Sequence, residues 1–396
     1  MHLMEILRYR PVPASAVFFG ITRRCPLHCK HCSTSSMLDS EEYPEEMFRK
    51  FAESFTPENR PEFVLMSGGE ALLRPRLVRE IAELARAAGS RSHVLSGLYF
   101  ADRGRIPRPL KRAIDAVDHF SASLDRFHEE EVPRASVFRV LRELLEEGKD
   151  VSLQLTGLGP DDPYLADITA EVRRVFDDRV PMLVAPISPH GRADAWLLKR
   201  VPLPKSTVAP APCAVSAWPV IGFNGQVTAC GNQDVMDGKV PLPPHLYLGH
   251  IARDDWPAIK ERALENPMVR AIRATGPEYL MDRHGSLGAD ASSGGNGGSI
   301  TNPGPDPDPD PGPGPGCGSP GYCETCWVLS KDGAVPRAVR ELADRPATRL
   351  IERQTESLLV EAGPLAFARS YGIAKYADLV SLGHDPSRRT PAGSLV

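Results

Sequence analysis

The chain lacks most features that point toward membranes, secretion or nucleic acid. No apolar run among its 396 residues approaches the roughly 20 that span a bilayer. Lys and Arg (47) do not outnumber Asp and Glu (51), so the formal net charge of −4 implies no basic surface for nucleic acid or anionic lipid. The N-terminus, Met1-His-Leu-Met-Glu-Ile-Leu-Arg8, lacks the charged-then-apolar design of a secretory signal. The expectation is a cytoplasmic protein with neither a nucleic-acid nor a membrane partner. There is also no internal repeat beyond a strand–helix unit.

What the chain does have is cysteine in two groups. Eight are present, at 25, 29, 32, 213, 230, 317, 323 and 326, and roughly 180 residues separate the first three from the rest. In a reducing compartment, gathered thiols are better explained by metal than by disulfides, so two metal centres are expected. The first group is Cys25-Pro-Leu-His-Cys29-Lys-His-Cys32, just past the apolar run Ala16-Val-Phe-Phe-Gly-Ile-Thr22, which reads as a buried strand. A C-x3-C-x2-C loop turns three thiolates toward a common point. Zinc loops usually close a C-x2-C pair with a second pair. Three thiolates without a fourth instead suit a 4Fe-4S cluster with one open iron. The alternatives are three unrelated thiols or a zinc loop. His28 and His31, beside the ligands, read as solvated or packing residues.

Between residues 16 and 187 the pattern alternates regularly. Glu41–Phe55 carries Phe48, Phe51 and Phe55 at helical spacing and predicts an amphipathic helix with an aromatic core stripe. Glu62–Ser67 is a short apolar strand ending in Gly68-Gly69-Glu70. A helix from near Pro75 lines Leu77, Ile81, Leu84 and Ala88 on one face and stops at Gly89. Further strands are expected at 92–96, 119–124, 151–155 and 180–185. Helices are expected at Leu110–Val117, from a Ser136 cap to Glu147 with Gly148 closing it, and at Leu165–Phe176. Six strands separated by helices favour parallel pairing with helical crossovers. Six rather than eight leave an open, partial (β/α)6 TIM-like barrel, an α/β fold. Ligands of such folds gather at the carboxyl ends of the strands, so Cys25–Cys32 and Gly68–Glu70 would meet at one mouth.

From about 200 the rhythm stops. Val201–Lys205 and Ala209–Pro212 are proline-rich and read as a link. The expected organisation is a barrel over 1–200, a small cysteine-rich domain over 201–333, and a C-terminal helical segment over 334–396 with a disordered tail. The second domain contains a Gly/Pro-rich insertion at 285–316 with almost nothing apolar to bury, read as disordered or extended.

The cysteine loop after the first strand, followed by Gly68-Gly69-Glu70 after the second, resembles the signature of the radical S-adenosylmethionine (SAM) superfamily. That resemblance implies the partial barrel, a 4Fe-4S cluster on Cys25, Cys29 and Cys32, and an open iron that chelates the amino and carboxylate groups of SAM. It also implies a SAM-binding role for Gly68, Gly69 and Glu70. Glycines let backbone approach a ligand, and backbone carbonyls can accept from the methionyl ammonium. Glu70 would bond the same ammonium or a neighbouring backbone group. Related enzymes carry a polar residue at the fourth strand's end that contacts the SAM ribose. Among Ser121, Ser123 and Asp125, Ser123 is the choice, set against a structural hydroxyl or helix cap. Gln154 and Thr156 follow as weaker candidates. Pro189-His-Gly-Arg192-Ala193 is similar to a Gly-Arg-Ala segment of superfamily members with auxiliary clusters, where Arg192 would hold a carboxylate or a salt bridge.

In the second group, eleven residues separate Cys213 from Gly225 and four separate Gly225 from Cys230. Gly225-Gln-Val-Thr-Ala before Cys230 reads as a turn and strand, a hairpin that brings Cys213 and Cys230 together. Cys323-Glu-Thr-Cys326 adds a C-x2-C pair. The pattern resembles the SPASM/twitch auxiliary domain. The full SPASM pattern takes seven cysteines and only five are present, so a twitch-like domain is expected, with one second 4Fe-4S cluster on Cys213, Cys230, Cys323 and Cys326. Four thiolates also suit zinc. Cys317 is left as a substitute ligand or a free thiol. The long insertion does not forbid ligation, because loop-closure cost grows slowly with length.

The resemblance implies reductive cleavage of SAM to methionine and a 5′-deoxyadenosyl radical that abstracts hydrogen from an unactivated C–H bond. The electron would come from an external donor such as flavodoxin or ferredoxin. By analogy with enzymes sharing the auxiliary domain, the leading expectation is an oxidoreductase that oxidises or cross-links a ribosomally made peptide in natural-product biosynthesis. With about fifteen residues before the first strand, no fused N-terminal peptide-recognition domain is expected. A dehydrogenase or epimerase of a sugar-like small molecule is the rival enzyme, and a non-catalytic metal-binding scaffold the rival of another class. No substrate-side acid, base or hydrogen donor can be named from the sequence.

Overall fold

Runs such as Ala16-Val-Phe-Phe-Gly20 and Phe63-Val-Leu-Met66 carry no polar side chain because both faces of their sheet are covered. The computed structural model describes residues 1–200, 211–286 and 320–388. Val201–Lys205 and the first half of the second proline stretch, residues 209 and 210, lie outside the described residues. So do the Gly/Pro-rich run from 287 to 316, Cys317 and the tail after 388.

The order is α1 (Leu3–Arg8), β1 (Ala16–Gly20), α2 (Glu45–Ala52), β2 (Phe63–Ser67), α3 (Pro75–Ala87), β3 (Arg91–Ser96), α4 (Arg108–Ala116) and β4 (His119–Leu124). It continues with α5 (Arg126–Glu129), α6 (Arg134–Glu146), β5 (Asp150–Gly157), α7 (Pro163–Phe176), β6 (Met182–Pro186) and α8 (Asp194–Arg200). β1 to β6 pair in sequence order and all in parallel, from Gly20↔Ser67 at one edge to Gly157↔Pro186 at the other. This is the parallel α/β core of a partial barrel, and every β-to-α loop leaves from the same end.

Alternation along the strands separates two faces. Val17, Phe19, Ile21, Val64 and Met66 join the helix-facing core. Ala16, Phe63 and Leu65 turn the other way and pack with Ile6 and Tyr9 near the N-terminus and with Trp218. One cap differs from expectation: Pro133, not Ser136, is the N-cap of α6, and Ser136 sits inside the first turn. The fixed φ of proline already suits a helix start. Gly89 and Gly148 do end their helices in the left-handed region, at φ +86° and +81°.

The sheet does not stop at six strands. β7 (Val220–Ile221) pairs in parallel with β1 through Phe18↔Val220 and Phe19↔Ile221. Antiparallel β8 (Gln226–Thr228) and β9 (Tyr247–His250) complete a nine-stranded sheet. The β7–β8 hairpin turns at Gly225, φ +87°. Beyond it lie α9 (Gln233–Met236), α10 (Trp256–Glu265), α11 (Pro267–Thr275) and α12 (Pro277–His284). Helices at Pro320–Val328, Ala334–Leu342 and Pro346–Tyr371 follow, the last broken at Gly363, φ 78°. Ile373 then donates to Val184 O at 2.9 Å, so the chain end covers the β6 edge. Among the described residues, no helix is long and apolar enough to cross a membrane.

Candidate functional site

The connection from Ile21 to Pro44 carries the first three cysteines and contains neither helix nor strand. Its carbonyls must therefore find partners elsewhere, and arginines supply them. Arg23 donates to Thr34 O at 3.1 and 3.2 Å, and Arg24 Nε to Leu38 O at 2.6 Å. Arg74 reaches back from the start of α3 to Ile21 O at 3.1 Å and Tyr43 O at 2.6 Å. Arg192, after β6, donates from Nε to Cys29 O at 2.9 Å and from Nη1 to Ser36 O at 2.8 Å, while its backbone N–H reaches Cys32 O at 2.9 Å. Among the described residues Arg192 pairs with no carboxylate. It grips the cysteine loop instead. Gly191 makes the grip possible: at φ +58°, a Cβ there would stand 2.3 Å from Cys32 O and 2.4 Å from Ser33 O.

Cys25 and Cys29 are buried, and Cys32 is half-buried. Leu27 N–H points at Cys25 Sγ (3.4 Å), Thr34 Oγ1 lies 3.3 Å from Cys32 Sγ, and His128 Nδ1 lies 3.8 Å from Cys29 Sγ. Burial pushes the Cys25 thiol up to about 12 and Cys29 in the same direction, and Cys32 adds to both, so the three sulfurs sense one another. Thiols held this way ionise only against a compensating positive centre. His28 is exposed. His31 packs: its Nε2 lies 3.1 Å from Asp125 Oδ2, and its ring stacks on Phe127 at 5.5 Å. Burial alone would raise the Asp125 carboxyl, but its bond to His31 holds it below the usual range.

Gly68 and Gly69 bring the end of β2 against this loop. A Cβ at Gly68 would meet Thr22 O at 2.2 Å, and one at Gly69 would meet the carbonyls of Arg23 and Arg24 at 2.5 Å. Gly69 N–H donates to Thr22 O (2.7 Å) and Glu70 N–H to Arg24 O (2.8 Å). The Glu70 carboxylate is fully buried and bonds its own neighbourhood: Leu72 N–H at 2.9 Å, Gly97 N–H at 2.8 Å and Ser96 Oγ at 3.0 Å. Burial lifts its pKa to about 7. Gly97 O in turn takes His128 Nε2 at 2.7 Å. A chain of contacts therefore runs from Glu70 through Gly97 and His128 to Cys29.

On the sheet face away from the helix-packed core, polarity rises toward the same end. His93 Nε2 bonds Ser121 Oγ (2.7 Å), Ser121 bonds Ser152 (2.6 Å), and Ser152 bonds His119 Nε2 (2.8 Å). Ser121 thus belongs to this buried network rather than to the mouth. Two residues further along each strand, Ser123 and Gln154 pair in register, and neither side chain is hydrogen-bonded among the described residues. Thr156 Oγ1, on the same face, is buried without a partner among the described residues.

The second cysteine group also converges. Cys213, Cys230, Cys323 and Cys326 line one cavity together with Asn232, Trp327 and Tyr371. Burial pushes Cys230 and Cys323 up to about 12 and Cys326 well above its ordinary value, each also raised by the other thiols. His245 Nε2 lies 3.7 Å from Cys326 Sγ, and Asn232 N–H points at Cys230 Sγ at 3.3 Å. Asn232 caps α9, whose Asp234 bonds His190 Nδ1 at 2.9 Å, next to Gly191 and Arg192. Sequence patterns gave no sign of the Arg23, Arg24, Arg74 or His128 contacts. Asn232 alone left a readable trace, as a cap residue before a short helix.

A single zinc ion would gather its thiolates at about 2.3 Å. Among the described residues, no set of three or more His, Cys, Asp or Glu side chains is drawn together for one metal ion. Three thiolates in the first set and four in the second are donor sets that iron–sulfur clusters take, and four thiolates also suit zinc.

Residues 19–172 match the family model of the Radical SAM superfamily. No curated protein matches the chain. Among solved structures, SuiB of Streptococcus suis bound to the precursor peptide SuiA is similar at 10% identity and a TM-score of 0.40, over 59% of this chain and 63% of that one. Native anSMEcpe with bound AdoMet and the Cp18Cys peptide is similar at 13% identity and a TM-score of 0.43, over 65% and 83%. The chain thus spans less than two thirds of SuiB.

Proposed function

We propose that this chain, with its radical SAM domain over residues 19–172, is a two-cluster enzyme that activates a C–H bond of a ribosomally made peptide, oxidising or cross-linking it. The observation that carries the two-cluster reading is the convergence of Cys213, Cys230, Cys323 and Cys326 on one cavity, in a chain whose first three cysteines stand at the strand ends. Cys25, Cys29 and Cys32 would hold the SAM-binding 4Fe-4S cluster, and the later four an auxiliary one. When bound, the first cluster supplies the electron that cleaves SAM to methionine and a 5′-deoxyadenosyl radical.

The chain's own residues do the rest. Arg23, Arg24, Arg74 and Arg192 fix the cysteine loop, and the first three are themselves paired with Glu41, Glu42 and Asp237. Gly68 and Gly69 allow the β2 turn to close on that loop, and Glu70 braces Gly97 and, through it, His128. Ser123, Gln154 and Thr156 offer unspent polar groups where a ribose or substrate would lie. The apolar Phe127 and Trp196, packed at 5.1 Å, shield the His31 side of the loop from water. The peptide class rests on the likeness of the Cys213-x11-Gly225-x4-Cys230 pattern to auxiliary domains of peptide-modifying enzymes, and an acidic one-electron carrier such as flavodoxin or ferredoxin would be the donor.

Iron and sulfide analysis tests the assignment. Anaerobically reconstituted protein should hold about eight irons, falling to about four in a Cys25/Cys29/Cys32→Ala variant, on two four-iron clusters. Wild type should also release 5′-deoxyadenosine from SAM under dithionite, and the variant should not. Full iron retention in the variant would sink the first-site assignment. A short peptide gene beside this one, rather than sugar-tailoring genes, would separate the peptide reading from the small-molecule one.

A further inference from the structure

The second cysteine cavity contains a buried side-chain amide that acts on one of its thiols. Asn232 is 3% exposed. Its Oδ1 accepts from Asp234 N–H at 3.0 Å as the N-cap of α9, and its own backbone N–H is directed at Cys230 Sγ, 3.3 Å away. Exchanging the amide's oxygen and nitrogen would set Nδ2 against the Asp234 N–H and destroy the cap, so the side chain has one orientation. Nδ2 is then the branch that the cap does not use. It is buried and completes no full hydrogen bond among the described residues, yet the side chain reaches the Cys323 thiol, which it pulls down against the effect of burial. The residue that carries it lines the cavity whose walls include Cys213, Cys230, Cys323 and Cys326.

An amide N–H bonds a neutral thiol weakly and a thiolate or bridging sulfide more strongly. The acceptor for Nδ2 must sit among the four cysteines, which makes thiolate or bridging sulfur the matching chemistry. We propose that Asn232 is a positioning residue of the second site, donating Nδ2–H to a sulfur of the cluster bound there and raising its reduction potential. The sign follows because a donor to sulfur favours the more negatively charged, reduced form. The proposal rests on the reading that these four cysteines hold an iron–sulfur cluster.

The test is a potentiometric titration followed by electron paramagnetic resonance, on full-length protein carrying Cys25/Cys29/Cys32→Ala so that only the second cluster reports. Asn232→Ser and Asn232→Asp both keep an oxygen for the α9 cap while removing Nδ2. Both should load iron and sulfide as the parent does. The Ser variant should titrate at a more negative potential than the parent, and the Asp variant lower still, because it adds negative charge beside the thiolates. An unchanged midpoint in a fully loaded Ser variant overturns the role of Asn232 and leaves the cluster reading standing. A parent that binds no iron and sulfide overturns the cluster reading, and the proposal with it.

Discussion

Arg192→Met removes the two side-chain hydrogen bonds that hold Cys29 O and Ser36 O, at 2.9 and 2.8 Å. Bonds from a charged donor contribute about 1.5–3 kcal/mol each. The guanidinium is only half-buried, which puts the pair near the low end, about 3 kcal/mol in all. The lost energy falls on the cysteine loop rather than on the core, because both acceptors lie on a segment without helix or strand. At about 1.4 kcal/mol per tenfold, the first site should hold its iron about 100-fold less tightly. Arg192→Lys keeps the charge but reaches one carbonyl, so about 10-fold is expected there. Anaerobic iron release to a chelator reads this directly, with iron at the proposed second site as an internal reference. The first-site phase should accelerate while the second-site phase holds. Wild-type release in both phases of Arg192→Met would refute the reasoning.

Gly191→Ala places a methyl 2.3–2.4 Å from two backbone oxygens that no rotamer change can move, at a φ of +58° that itself costs about 1–2 kcal/mol. Iron per chain after reconstitution should fall to the second-site complement with unchanged far-ultraviolet circular dichroism. Glu70→Gln tests the buried carboxyl: burial raises its folded pKa to about 7, above its unfolded value, so its contribution is fully present below about pH 4.5 and is lost as pH rises through 7. In urea midpoints converted to free energy, wild type should lose up to about 3 kcal/mol relative to Glu70→Gln across that window, and parallel curves would exclude the shift.

The strands and crossovers were readable because parallel strands covered on both faces are continuous apolar runs, and α3 and α6 each end at a glycine in the left-handed region. The first cysteine loop was readable from spacing alone, and so was the β7–β8 hairpin. Its attachment to β1 was not. Val220–Ile221 is two residues long, too short for any period, and it is a strand only because β1 offers an unpaired edge. Ser136 misled as a cap because local preference for serine competes with the fixed φ of Pro133 one position before the helix. The arginine grips could not be read at all. Arg192 meets Cys29 and Ser36 across more than 150 residues of chain, and backbone carbonyls leave no mark in a sequence.

The two cysteine sites share one frame. β7 continues the sheet from β1, and the loop after β1 carries Cys25, Cys29 and Cys32, so the Cys213–Cys230 hairpin is tied to the strand that presents the first site. A second tie runs on the loop side. From Cys230 the chain reaches Asn232 and α9; Asp234 bonds His190, and Lys239 approaches both Asp234 and Asp194. Arg23, from the cysteine loop itself, lies 3.6 Å from Asp237 at the end of α9. Gly191 and Arg192 then close on Cys32 and Cys29. A hinge between the sites would have to break strand pairing and this ion-pair set together. The geometry favours a fixed separation between the sulfur sets, the condition under which an electron can pass between two centres without a domain motion.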